Sequence, residues 1–145
     1  MQNSKWKNTA PVPGDQIRVF RNNYYHHGIF ISNDEVIEFG SEVVLSLKEI
    51  ENIKIGKTTL AQFVGDDFLE VRTYSLSEKV KKNSRKKVIE KARSRVGETG
   101  YDFLKNNCEH FSYECVFNKK YSEQIEEYKR KLKIDWWPER QGNAT

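Results

Sequence analysis

The sequence predicts an α+β fold, an antiparallel sheet packed against a helix that begins at a cysteine. Three observations predict it. Tyr24–Ser32 and Glu35–Phe39 are aromatic and β-branched runs separated by Asn33-Asp34, a hairpin signal. Gln16–Phe20 alternates ahead of that hairpin and Phe68–Tyr74 follows it, supplying two more strands. After Asn106-Asn107 the spacing becomes helical, with Cys108, Phe111 and Cys115 at i, i+3 and i+7.

The elements follow in order along one domain of 145 residues. Residues 1–13 are polar, contain Pro11 and Pro13, and read as a flexible arm on which Trp6 is a candidate to pack down. The domain itself is expected over 14–138, with a disordered tail at 139–145. Gly14-Asp15 opens the first strand and Arg21-Asn22-Asn23 turns it. The hairpin 24–39 ends at Gly40-Ser41. Residues 43–66 read as irregular, with one helical turn at Leu47–Ile50. A lysine-rich helix starts at Ser77-Glu78 and runs to about Val96, with Val80, Val88, Ile89 and Ala92 as its thin apolar stripe. Gly97 to Gly100 breaks it. The cysteine helix runs to about Phe117, a charged helix covers Ser122–Leu132, and Trp136-Trp137-Pro138 closes the ordered part.

Composition excludes several classes. Aromatics at 12% argue against a disordered chain, although 32% of residues are charged. The longest apolar runs are a few residues, against roughly 20 for a membrane-spanning helix. The first residues lack the apolar stretch of a secretion signal, so a cytoplasmic address is expected. Cys108 and Cys115 lie seven apart on one helix, about 10 Å along its axis, which is too far for a disulfide. Two thiols also fall short of a zinc ligand set. A net charge of +4 allows contact with anionic lipid or nucleic acid and argues for neither, and no nucleic-acid partner is expected.

The chemistry-bearing residue is Cys108. Asn106 and Asn107 are good N-caps, which places the thiol in the first turn of a helix. Unpaired backbone N–H groups and the helix dipole favour a thiolate there, and the same groups can receive an oxyanion. His110 lies about 200° around the axis from Cys108, which makes it a surface or edge hydrogen-bonder. Cys115 reads as a buried core thiol. A base must then come from His26 or His27, which alternate to opposite faces of their strand. Alternation alone does not choose between them. The small Gly28 on the His26 face offers room for the incoming helix terminus, which favours His26. Glu38 is a candidate to orient the imidazole. A three-residue loop at 33–35 puts it on the His26 side, and a two-residue loop at Asn33-Asp34 puts it on the His27 side.

These residues also form a recognisable set. Asn107-Cys108-Glu109-His110-Phe111 resembles the NCEHF signature of the lecithin:retinol acyltransferase-like family. Tyr24 to Ile31 resembles its Y-x-H-x-G-I-Y strand, and Ser32 to Glu38 its hairpin return. Gly14-Asp15-Gln16-Ile17, Arg95-Val96-Gly97-Glu98 and Tyr101-Asp102-Phe103-Leu104 resemble its opening strand and the lead-in to its cysteine. The resemblance spans residue 14 to about 125. It implies a circularly permuted papain-like domain in which the histidine strand precedes the cysteine helix. It implies Cys108 as nucleophile, His26 as base and Glu38 in the third position, where the family usually has a second His. Ser32 stands where the family commonly has Gly. Tyr24 and Asn107, which flank the histidine and the cysteine, are assigned to substrate contact.

The activity implied is phospholipase A or acyltransferase chemistry through an acyl-cysteine, with a glycerophospholipid as donor and no metal or other cofactor. Lipid access would be peripheral, through the basic helix 79–95 and through Trp136 and Trp137. Two other readings remain open at this stage. One is a papain-like cysteine peptidase or amidase, including the deubiquitinating type, although Glu109 stands where that type usually has Asn. The other is a binding module that lost its chemistry, which Glu38 in place of His motivates.

Overall fold

The computed structural model describes residues 5–40 and 50–132. Its strands are β1 (Trp6–Lys7), β2 (Gln16–Arg21), β3 (Tyr24–Ser32), β4 (Glu35–Phe39), β5 (Ile55–Thr58) and β6 (Leu69–Arg72). Its helices are α1 (Leu60–Val64), α2 (Leu76–Lys81), α3 (Arg85–Ser94), α4 (Cys108–Phe117) and α5 (Glu123–Leu132). The strands form one sheet in the order β1-β6-β2-β3-β4-β5, and every neighbouring pair is antiparallel. The fold is thus α+β, with helices packed on an antiparallel sheet.

Strand alternation divides the core in two. Ile29, Ile31, Ile37 and Phe39 point to one face and pack with Val88 and Ala92 of α3 and with Cys108, Phe111 and Cys115 of α4. Ile17, Val19, Phe30, Val36 and Val71 point to the other and pack on Phe63 of α1. Full burial of side chains this size contributes roughly 1.5–3 kcal/mol each, so both faces hold the sheet. Gly14 has φ +92°, and a Cβ there would lie 2.9 Å from Arg85 Cβ. The bare backbone lets Asp15 reach Arg85 Nη1 at 2.7 Å, which ties the start of β2 to α3.

The hairpin register settles the position of Glu38. The loop is the two-residue one, since Ser32 pairs with Glu35. Ile31 is then bulged, and the register shifts so that Phe30 pairs with Val36 and Gly28 with Glu38. One extra residue in a strand restores the facing that a two-residue loop alone reverses. Glu38 therefore lies on the His26 side of the sheet.

Several expectations need correction. The N-terminal arm is not loose throughout. Trp6 and Lys7 pair with Arg72 and Val71 as an edge strand, and Trp6 is packed down as the sequence allows. The stretch 43–66 is not simply irregular, for it contains β5 and the Thr59-capped helix α1. The lysine-rich helix is two helices. Ser75 caps α2 and Ser84 caps α3, because each serine hydroxyl accepts the N–H that a continuous helix would use internally. Val80 consequently leaves the apolar stripe and is 86% exposed, whereas Val88 and Ala92 are buried as expected. Residues 47–49, Trp136, Trp137 and the tail 139–145 lie outside the described residues.

Candidate active site

The site forms where β3 outruns its neighbour. Pairing with β4 reaches only to Gly28, so Tyr24–His27 have no β4 partner. The start of α4 lies against this open edge, with Cys108 Sγ 3.9 Å from the Tyr25 carbonyl oxygen. The edge amide is not left bare. The Tyr25 N–H donates to Gln124 Oε1 at 2.7 Å, and Gln124 Nε2 donates to the Tyr25 carbonyl at 3.1 Å. A side-chain amide from α5 thus stands in for the missing strand and meets the requirement that buried peptide groups be paired.

An edge position explains how both histidines influence one thiol. His27 shares a face with Ile29 and α4, while His26 shares the opposite face with Gly28 and Phe63. A sulfur at the rim of the strand is within reach of both. Gly28 plays a different part from the one expected. A Cβ there would lie 2.8 Å from Phe63 Cε1, so the space belongs to α1 and not to the cysteine helix. Phe63 in turn covers the His26 ring, with centroids 5.0 Å apart.

His26 Nε2 is 2.8 Å from Glu38 Oε1, and both side chains are buried. Burial alone would strip the proton from His26. Hydrogen bonding to Cys108 and Glu38, together with their charge, overrides it and raises the imidazole from 6.5 to about 9. For Cys108, burial alone would raise the thiol. Hydrogen bonding and charge from His26 first and His27 second lower it from 9.0 to about 5. The two shifts describe one arrangement, a thiolate and an imidazolium sharing a water-poor site. The Tyr24 hydroxyl is 2.7 Å from Cys108 Sγ. Burial, and then the neighbouring Cys108 and Tyr101, push its phenol far above the usual range, so it remains a hydrogen-bond donor.

The helix start is built by Asn107. Its Oδ1 accepts the N–H groups of Glu109 at 2.9 Å and His110 at 3.1 Å, and its Nδ2 donates to the Phe103 carbonyl at 2.8 Å. The side chain is buried and caps α4. The cap also claims two of the N–H groups expected to face an oxyanion and leaves that of Cys108 itself. His110 is buried, not on the surface. Its Nδ1 accepts the Asn107 N–H at 3.0 Å and completes a reciprocal capping box. Cys115 is a core thiol raised to about 12 by burial.

A family model described as lecithin retinol acyltransferase matches residues 9–121. The chain belongs to the lecithin retinol acyltransferase family. Rat lecithin retinol acyltransferase is 26% identical over 140 residues, covering 83% of this chain and 61% of the relative. The mouse protein of that name is 26% identical over 152 residues, covering 92% and 66%. Human phospholipase A and acyltransferase 4 is 28% identical over 129 residues, covering 82% and 77%. The chain thus spans about three fifths to two thirds of the lecithin retinol acyltransferases it matches.

Within this family member, sequence reasoning missed three contributors. Glu109 is buried, accepts from Ser122 Oγ at 2.7 Å and Gln124 Nε2 at 3.1 Å, and so aims the Gln124 amide at Tyr25. Gln124 is the second and Phe63 the third. The one available signal was Glu109 itself, a carboxylate placed directly after the cysteine in the first turn of the helix.

Proposed function

We propose that the protein is a thiol-dependent acyl-transfer enzyme that takes an acyl chain from a glycerophospholipid onto Cys108. The observation that carries this is the buried His26 imidazole, held by Glu38 at 2.8 Å and near enough to the Cys108 thiol at a helix start for each to shift the other's proton affinity. The family's acyltransferase and phospholipase names support the substrate class. The order of histidine strand before cysteine helix fits a permuted papain-like domain.

The steps follow from the residues. The Cys108 thiolate attacks the ester carbonyl, and the carbonyl electron pair moves onto oxygen. The Tyr24 hydroxyl and the Cys108 N–H are the donors at hand for that oxyanion. Sγ is fully buried, so the Tyr24 side chain must swing from sulfur toward the arriving carbonyl. When the tetrahedral adduct collapses, the C–O bond breaks and His26 gives its proton to the departing lysophospholipid oxygen. Water, an amine or a hydroxyl then attacks the thioester. His26 accepts the attacker's proton and the thiolate leaves. Glu38 keeps the ring oriented through both halves and offsets its charge. No metal or other cofactor takes part in this scheme. Lipid contact is peripheral in this reading, through the lysines of α2 and α3. Among the described residues no helix is long and apolar enough to cross a membrane.

The test is incubation with phosphatidylcholine followed by intact-mass analysis after acid quench. One acyl adduct is expected on Cys108, and none on Cys108→Ala. Undiminished turnover by Cys108→Ala overturns the mechanism.

A further inference from the structure

His27 has no part in the scheme above, yet it is the most completely buried polar ring beside the sulfur. Its relative exposure is 0%. Three groups converge on the Tyr25 carbonyl: His27 Nδ1 at 3.2 Å, Gln124 Nε2 at 3.1 Å and Cys108 Sγ at 3.9 Å. The imidazole and the sulfur thus both contact one carbonyl oxygen. His27 Nε2 is buried without a hydrogen-bond partner. Glu109 Oε2 lies 3.8 Å from it. That carboxylate is itself fixed, by Ser122 Oγ, the Glu123 N–H at 3.1 Å and the Gln124 amide. A packed core seldom buries an unpartnered polar nitrogen at such a spot without a use.

The other groups around His27 do not compete for that role. Across the strand pair stands Arg18, committed to Glu70 at 2.9 Å and stacked on Trp6 and Tyr25. Trp6 closes the far side, edge to face with the imidazole at 5.3 Å. Cys108 and Glu109 of α4 remain.

We propose that His27, steered by Glu109, is a positioning residue for the Cys108 sulfur that favours the thiolate from the face opposite His26. Its consequence for turnover rests on the acyl-transfer reading. During the second half-reaction His26 is accepting the attacker's proton while the C–S bond breaks and the electron pair returns to sulfur. His27 then supports the leaving thiolate at the moment when His26 is serving as base. No proton crosses to or from His27 in this step.

The test does not require lipid. Iodoacetamide alkylation of Cys108, followed by intact mass across pH, reports the pH at which the thiolate forms, and Cys115 stays silent at these pH values. His27→Phe keeps an aromatic ring, one ring atom larger, and removes both nitrogens. It is expected to move the alkylation midpoint up by about one pH unit. His27→Gln restores a donor and is expected to recover part of that shift. A filler role alone would lower the melting temperature and leave the midpoint in place, and that result overturns the proposal. Should His27→Phe fail to fold, the wild type gives the answer. The His27 ring ¹⁵N signals are expected to shift when Cys108 is alkylated, and unmoved signals overturn the proposal. A midpoint shift in a protein that forms no acyl adduct from phospholipid would remove the lipid reading and keep His27 in its place.

Discussion

Replacing Glu38 by Gln tests the electrostatic core of the site with little change of shape. The amide oxygen can still accept from His26 Nε2, so orientation largely survives while the charge is lost. A hydrogen bond to a charged partner contributes about 1.5–3 kcal/mol, and one pKa unit corresponds to about 1.36 kcal/mol. The Glu38 contact at 2.8 Å therefore holds roughly one to two of the units by which His26 is raised. The sign is fixed by which form reacts. Below about 5 the Cys108 thiol is protonated and cannot attack. Above about 9 His26 has lost the proton the leaving oxygen needs. The wild type should show a plateau in kcat/KM between these limits. In Glu38→Gln the alkaline limb should retreat by about one to two pH units, and the acid limb should rise slightly because a weaker imidazolium supports the thiolate less. A short-chain soluble ester assayed across pH is the right substrate, since vesicle charge would distort the profile. An alkaline limb left at its wild-type position, in a variant whose melting temperature is unchanged, refutes the assignment of Glu38.

Three further outcomes follow from the packing. Gly28→Ala forces a methyl to 2.8 Å from Phe63 Cε1 and 3.1 Å from the Ile37 carbonyl. The cost should be about 1–3 kcal/mol by urea unfolding, with a loss of activity because Phe63 covers His26. Asn107→Ala removes the α4 cap and strands buried N–H groups, so about 1–2 kcal/mol should go, together with thiol reactivity as the first turn frays. Arg72 hydrogen bonds hold Glu78 down to about 2 against partial burial, with Ser75 assisting. That stability is complete above the unfolded carboxylate value of about 4.5 and is lost as pH falls toward about 2. Glu78→Gln should abolish this acid-side dependence in urea titrations and cost on the order of 1 kcal/mol at neutral pH.

How much of this was legible in the chain depends on the range of the signal. Tyr24–Ser32 and Glu35–Phe39 carry their strand character locally, in β-branched and aromatic side chains, and their boundaries fall where the pattern changes. Asn107 announces a helix start because a cap is a contact between near neighbours. The break between α2 and α3 was equally local, written in Asn83-Ser84, but a continuing run of lysines masks it. The bulge at Ile31 had no such mark. No glycine or proline signals it, and its effect is to pair Ile37 with Ile29, so that Ile37 and Phe39 face the same core as Ile29 and Ile31. Gln124 could not be read at all, since a glutamine in a charged helix looks solvated until the strand it repairs is known to lack a neighbour.

Those illegible features are the ones that assemble the site. A longer β4 would pair with Tyr24–His27, close the edge and keep Cys108 on the His27 face alone. Without the bulge, Glu38 would stand across from Ile29 and leave His26 with no carboxylate. In the proposed chemistry the opening at β3 lets a sulfur on one side of the sheet use an imidazole from the other, and the bulge delivers the anion that holds that imidazole. Both are properties of strand length and register, set by contacts among residues far apart in the chain. This is why the residue types could be named from the sequence while the face that joins them could not.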